Sequence, residues 1–112
     1  MNLGDVMYLK VRNKKIEIKE LKSFKERFKS LKFNLYKNEL CLFFPKKKKL
    51  STYFFCQRVD ACFTDKNNKI LYLHSNVKSE KRIIHLKAKN LYILPLDTAD
   101  KLIIGDTLKF VE

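Results

Sequence analysis

The sequence predicts an α+β domain that is mainly β, with about seven mostly antiparallel strands in a curled or partly closed sheet. Short runs of alternating or wholly apolar residues recur along the chain and are bounded by Asn, Asp, Gly or Pro. The 112 residues are enough for one domain, so we expect a single domain over 1–112. Hydrophobic residues make up 46% of the chain and glycine and proline occur twice each, which is typical of a packed core with short loops.

The chain begins with a predicted hairpin and a predicted helix. Apolar and polar residues alternate over residues 6–11 and 15–19, around the polar turn of residues 12–14. From Glu20 the apolar residues recur every three or four positions, which predicts an amphipathic helix over about 20–31 that covers the sheet. The polar face of this helix carries Lys22, Lys25 and Lys29.

The middle of the chain predicts a strand and a long hairpin. Residues 39–44 form an apolar run that Pro45 ends, because proline cannot donate to a strand ladder. Residues 53–64 and 69–74 are predicted to pair antiparallel across residues 65–68, whose Asp and Asn side chains favour turns. Residues 75–81 are polar and predict a loop.

The last third predicts three strands and one short helix. Strands are expected over residues 82–86, 90–94 and 107–111. Asp97 is placed to cap a helix of one or two turns near 98–102, and Asp100 is favourable in its first turn. Gly105 and Asp106 predict the turn into the final strand.

Positive charge dominates the composition. The chain has 25 basic and 12 acidic residues, a net charge of +13, and residues 1–49 alone hold 15 basic and 5 acidic residues, a net charge of +10. The first half could therefore present a positive face to a nucleic acid or another polyanion. An AT-rich coding sequence would also produce many lysines, and a lysine run usually marks a solvated loop. The candidate polyanion contacts are Lys22, Lys25, Lys29, Lys46, Lys47, Lys48 and Lys49.

One charged pair interrupts the predicted central strand. Arg58 and Asp60 lie two residues apart and are neighbours on one face if the strand is regular. Such a pair can be a ligand or catalytic site, because burial and a partner charge perturb both groups. The interpretation that we favour is a partly buried structural ion pair.

The sequence contains no motif that predicts catalysis. It has no Gly-rich phosphate loop, no nucleophile elbow and no His-Glu-x-x-His, and its two histidines lie eleven residues apart on different predicted segments. The three cysteines lie in apolar runs, where we expect buried reduced thiols rather than a disulfide framework or a zinc site. We therefore predict a protein that is not an enzyme and has no cofactor, metal or catalytic residue.

The N-terminus has no apolar segment of the signal-peptide kind, and no run of eighteen apolar residues occurs. We expect a cytoplasmic protein without a transmembrane segment, although an export signal that had been removed would leave no trace here.

The order of these segments resembles the uncharacterised bacterial and archaeal family named domain of unknown function 192. Residues 51–65, STYFFCQRVDACFTD, are similar in register to its signature, approximately His-Thr-Phe-Phe-Met-Arg-Phe-Pro-Ile-Asp-Val-x-Phe-x-Asp. Residues 25–33 are similar to its helix that carries an Arg before a Gly-Leu-Met element, with Ser30 in place of the glycine and Lys32 in place of the methionine. Gly105-Asp106 is similar to the Gly-Asp before its last strand. The chain departs from the signature at Ser51, Phe55, Cys56 and Arg58, and Ile93 replaces a glutamate that the family has before Leu-Pro.

The resemblance implies a compact, mainly β domain and no established activity. A divergent member that has lost several signature polar residues would act by binding or scaffolding, with a protein or a polyanion as its partner. Arg58, Asp60 and Asp106 are the candidates for a polar site of the family kind. Asp60 would order Arg58 or cap a neighbouring turn, and Asp106 would fix the turn after Gly105.

Overall fold

The computed structural model describes residues 7–20, 41–51, 58–78 and 81–112. The strands in these ranges are β1 (Tyr8–Val11), β2 (Lys14–Glu20), β3 (Cys41–Pro45), β4 (Lys49–Ser51), β5 (Val59–Thr64), β6 (Ile70–Val77), β7 (Arg82–Ile84), β8 (Asn90–Leu94) and β9 (Lys109–Val111). A 3₁₀ turn, Ala99–Lys101, lies between β8 and β9.

Seven strands form one sheet in the order β6-β5-β8-β3-β2-β1-β9, and this sheet curls into a half-barrel. All its neighbours pair antiparallel except β2 and β3, which are parallel and are connected through residues 21–40. A parallel pair needs such a long connection because its strands run in the same direction. The segment before β9 meets the start of β6, where Lys69 bridges Thr107 and the Ile70 N–H donates to the Asp106 carbonyl at 2.8 Å. The predicted curled, mainly β sheet is therefore confirmed.

The central strands β5 and β8 are buried on both faces, and all six residues of β5 are buried. One core takes side chains from both edges of the sheet and contains Leu9, Val11, Cys41, Cys62, Ile70, Tyr92, Leu94 and Leu108. The other core contains Leu42, Phe44, Leu50, Val59, Ala61, Phe63, Val77, Ala88, Leu91 and Ile93. The second sheet, formed by β4 and β7, covers this second core with Leu50 and the half-buried Ile83. Burial on both faces explains why residues 91–94 are continuously apolar rather than alternating.

Both predicted hairpins form among the described residues, whereas residues 53–57, predicted as the start of the second hairpin, lie outside them. In the first, Val11 pairs with Lys14 around Arg12 and Asn13. In the second, β5 and β6 pair around residues 65–68, where the Asp65 carboxylate accepts the N–H of Asn67 at 2.8 Å and of Lys69 at 3.0 Å. The turn therefore forms by the side-chain bonding that its Asp and Asn residues favour.

Three local predictions differ from the structure. The helix over about 20–31 is not borne out: Glu20 ends a β-strand, the described part of the chain has no helix of seven or more residues, and residues 21–31 lie outside that part. The end of the lysine run, predicted as loop, pairs with β7 as β4, and Ser75–Val77 extends β6 rather than forming a loop. Pairing with a distant strand produced both strands, because a short polar segment gains ladder hydrogen bonds only when a partner is present.

Candidate polyanion-binding surface

The Asp60 carboxylate is a buried structural cap. Asp60 is 1% exposed, and its Oδ1 accepts the N–H of Asn76 at 2.8 Å. Its Oδ2 accepts the N–H of Thr98 at 2.8 Å and of Ala99 at 2.7 Å, at the start of the 3₁₀ turn. The turn has no side-chain cap from its own N-cap residue, Thr98. Of the two roles expected for Asp60, capping a neighbouring turn is the one that its contacts show.

The structure does not bring the three predicted polar-site residues together: among the described residues, no hydrogen bond or ion pair joins Arg58, Asp60 and Asp106. Arg58 is exposed before β5, and its Nη1 donates to the Asn76 Oδ1 at 3.4 Å. Between the pairs Val59–Val77 and Ala61–His74, β6 has one residue more than β5, and this register shift brings the N–H of Asn76 to Asp60. The predicted ion pair of Arg58 with Asp60 is absent from the described residues, because Asp60 is buried and bonds backbone N–H groups whereas Arg58 lies at the surface. Asp106 is exposed in the turn after Gly105, and its main chain bonds Ile70.

The predicted lysine run lies on the second sheet. Lys49 pairs with Ile84, Leu50 with Ile83 and Ser51 with Arg82. Residues that pair directly share a face, so the buried Leu50 and the half-buried Ile83 point to the core and the other two pairs point away from it. The His85 N–H also donates to the Lys48 carbonyl at 2.8 Å, which extends the attachment beyond the strands.

We call residues 46–51 and 81–89 together the basic ribbon. The two segments contain eight basic residues and no acidic residue: Lys46, Lys47, Lys48, Lys49, Lys81, Arg82, Lys87 and Lys89. Seven of these side chains are exposed, and Lys47 is half-buried. Two exposed aliphatic residues, Ile84 (53% exposed) and Leu86 (76% exposed), lie among them. The basic ribbon is therefore a continuous cationic strip with an apolar element.

The lysines predicted from the helix, Lys22, Lys25 and Lys29, lie outside the described residues. Sequence reasoning found one half of the basic ribbon and missed Lys81, Arg82, Lys87 and Lys89. The sequence shows that residues 81–89 contain basic residues and no acid. It does not show that this segment lies beside residues 46–51, because that depends on the pairing of β4 with β7.

His85, which belongs to the basic ribbon, contacts His74 of β6, although the two residues lie in separate segments of the sequence. The Nε2 atoms of His74 and His85 are 2.7 Å apart, and the His85 ring stacks on Tyr72 with centroids 3.7 Å apart. Burial lowers the pKa of His74, and burial together with the charge of His74 lowers that of His85. A neutral pair is favoured, because one Nε2–H can donate to the other Nε2 only while one ring nitrogen lacks a proton.

The buried cysteines Cys41 and Cys62 are free thiols, and burial raises the pKa of Cys62 to about 12. Burial, with a contribution from Cys62, also raises the pKa of Cys41. Neither thiol therefore has the thiolate character of a nucleophile. Among the described residues, no group of three or more His, Cys, Asp or Glu side chains could hold a metal ion.

Comparison with known proteins identifies the fold only. No family model and no curated protein matches the chain. A protein of unknown function from Novosphingobium aromaticivorans DSM 12444 has a similar structure, with a TM-score of 0.70 and 13% identity over 96% of this chain and 84% of that one. A "putative transcription regulator" from Sinorhizobium meliloti 1021 is also similar, with a TM-score of 0.72 and 11% identity over 95% of this chain and 91% of that one. In the described part of the chain no helix has the length and apolarity needed to span a bilayer.

Proposed function

We propose that this protein is a small noncatalytic binding domain whose ligand is a nucleic acid or a similar polyanion, held at the basic ribbon. The observation that carries the proposal is the pairing of β4 with β7, which joins two segments with eight basic residues and no acid. Phosphate backbones are bound by clustered Lys and Arg, and the release of condensed counterions drives the association.

The shape of the ribbon also supports a nucleic-acid ligand. A two-stranded β-ribbon is one of the elements that the major groove of B-form DNA can admit. The outer face carries Lys49 and Arg82, whereas Leu50 and Ile83 fix the inner face to the core. With a single arginine among eight cations, we expect contacts to phosphates rather than bidentate readout of bases, and therefore low sequence specificity.

The noncatalytic part of the proposal rests on how the described polar groups are used. Asp60 accepts three backbone N–H groups, the histidine Nε2 atoms bond each other, and the described cysteines are buried. Membership of the domain of unknown function 192 family also remains our proposal, supported by the order of the matched segments and the curled sheet. The name of one fold neighbour, "putative transcription regulator", is compatible with a nucleic-acid ligand.

Fluorescence anisotropy with labelled single- and double-stranded oligonucleotides tests the proposal. At about 50 mM salt we expect micromolar or tighter binding, weakened by orders of magnitude at about 200 mM. The variant Lys49→Gln/Arg82→Gln should bind more weakly and should lower the slope of log K against log salt by about 1 for each lost phosphate contact. The control variant Lys14→Gln/Lys66→Gln removes the same charge from β2 and from the β5–β6 turn. It should lose much less affinity for the oligonucleotides.

Equal losses in the two double variants would show that net charge, not the basic ribbon, determines binding. No binding at low salt would exclude the polyanion. Ile84 and Leu86, exposed on the same ribbon, would then favour a protein partner and the scaffolding alternative.

A further inference from the structure

Aliphatic side chains interrupt the charge on the outer face of the basic ribbon. Four large hydrophobic residues are exposed in the described part of the chain, and two of them, Ile84 and Leu86, belong to the ribbon. Ile83 packs on the core and the His85 ring stacks on Tyr72, so these two residues face inward. Because side chains alternate along a strand, Ile84 lies on the outer face. An aliphatic element is therefore part of the surface that carries the cations.

The strand register places Ile84 beside two cationic residues. Ile84 pairs directly with Lys49 across the ribbon, and Arg82 lies two residues away on the same strand and the same face. The next hydrogen bond along the ribbon, from the His85 N–H to the Lys48 carbonyl, makes this a pair of the non-hydrogen-bonded kind, in which opposite side chains are closest. Cations on both strands therefore border the Ile84 side chain.

Leu86 lies at the tip of a turn whose backbone is fixed. The Ala88 N–H donates to the His85 carbonyl at 3.1 Å, which makes Leu86 one of the two central residues of the turn. Ala88 is buried, and the Lys89 N–H donates to the Thr64 carbonyl of β5 at 2.8 Å, so the turn is attached to the main sheet. A fixed backbone presents an apolar side chain to a ligand with little loss of conformational entropy on binding.

We propose, resting on the polyanion-binding function proposed above, that the basic ribbon enters the major groove of duplex DNA with Ile84 and Leu86 against thymine methyl groups. The C5-methyl of thymine is the apolar group that base pairs present in this groove, and phosphate backbones border the groove on both sides. The ribbon is complementary to it, because Lys49 and Arg82 border the aliphatic element on its two strands. The preference is for A·T-rich composition rather than for a sequence motif.

Replacing thymine with uracil in the DNA tests the methyl contact without changing charge or base pairing. Fluorescence anisotropy at about 50 mM salt compares an A·T-rich duplex with the same duplex in which every thymine is uracil. The thymine duplex should bind at least about threefold more tightly, the effect expected for burying one methyl group. A G·C duplex with 5-methylcytosine, whose methyl lies at the same C5 position, should bind more tightly than the unmodified G·C duplex.

Duplex RNA tests the placement in the groove. Uracil lacks the methyl group, and the major groove of A-form RNA is deep and narrow, so that side chains cannot read it. At equal salt, RNA should therefore bind more weakly than DNA of the same sequence. RNA bound as tightly as the thymine duplex would contradict the major-groove placement.

Two double variants compare the aliphatic residues of the ribbon with exposed aliphatic residues elsewhere. Ile84→Ser/Leu86→Ser should bind the thymine and uracil duplexes with affinities within about twofold of each other. The matched control, Ile103→Ser/Ile104→Ser, replaces two side chains that are 66% and 60% exposed before β9, and it should keep the wild-type preference. Both variants change exposed positions and should fold, which circular dichroism checks.

The outcomes separate this proposal from the function on which it rests. Equal affinity of the wild type for the thymine and uracil duplexes, with a steep salt slope, would overturn the thymine contact and leave polyanion binding intact; this comparison needs no variant. A preference that survives in Ile84→Ser/Leu86→Ser would overturn it as well. No binding to any oligonucleotide would refute both proposals.

Discussion

Replacing Asp60 with alanine should lower the free energy of unfolding by about 3–5 kcal/mol. The carboxylate accepts three N–H groups, and two of the donors, Thr98 and Ala99, are only 6% and 3% exposed. A hydrogen bond to a charged group contributes about 1.5–3 kcal/mol, and a buried donor left without a partner costs a similar amount. The third donor belongs to the exposed Asn76, which water can satisfy. The loss therefore comes mainly from the two buried donors.

The milder change Asp60→Asn keeps one acceptor oxygen but places an amide NH₂ opposite a backbone N–H. We expect it to lower the free energy of unfolding by about 2 kcal/mol. Asp97→Asn is the matched control, since sequence reasoning assigned the cap to Asp97, which is exposed and has φ of 68°. It should change stability by no more than about 0.5 kcal/mol. Urea unfolding followed by circular dichroism measures these differences, and an unchanged m-value would confirm that the same transition is compared.

Hydrogen exchange gives a second readout of the same contact. The Thr98 and Ala99 amides should be protected in the wild type and in Asp97→Asn, and they should exchange faster in Asp60→Asn. Equal losses of stability in Asp60→Asn and Asp97→Asn, or unchanged protection of both amides, would refute the assignment of the cap to Asp60.

Two further predictions concern buried titratable groups. Because the pKa values of His74 and His85 are lowered on folding, the unfolded state takes up protons first, so stability should be complete above about pH 6.5 and should fall as the pH decreases below it. Urea unfolding between about pH 7.5 and 5.5 measures this slope, which His74→Gln/His85→Gln should flatten; a wild type at least as stable at the lower pH would contradict it. In a Cys56→Ser variant, Cys41 and Cys62 should be nearly unreactive toward a disulfide reagent at pH 8, because a pKa of about 12 against an ordinary 9.0 reduces the Cys62 thiolate fraction about a thousandfold. Urea should release both thiols, and native rates within about tenfold of the unfolded rates would show that these side chains are accessible.

Much of the fold could be predicted from local patterns. The alternation around Arg12 and Asn13 is sufficient for the first hairpin, and Asp65 to Asn68 for the turn of the second, since these signals lie within a few residues of the structures they form. The apolar run of β8 was equally clear. The strand β4 could not be predicted, because a lysine run is typical of a solvated loop. It forms a strand only when β7 lies beside it.

The candidate sites show the same division. The charge excess and the run from Lys46 to Lys49 were visible in the sequence, and they already suggested a polyanion. The partner segment and the histidine pair were not visible, since each depends on contacts between residues that are distant in sequence.

The sequence by itself determined the mainly β class, the hairpins and the positive charge, because these follow from side-chain periodicity, turn chemistry and composition. Only the tertiary structure decided which charges lie together and which carboxylate caps the 3₁₀ turn. The cap shows the reason: Asp97 lies next to the turn, yet Asp60, 38 residues from Thr98, accepts its buried N–H groups. A buried donor is satisfied by whichever acceptor the packed strands bring to it, and that choice depends on strand register, including the shift between β5 and β6, rather than on proximity along the chain.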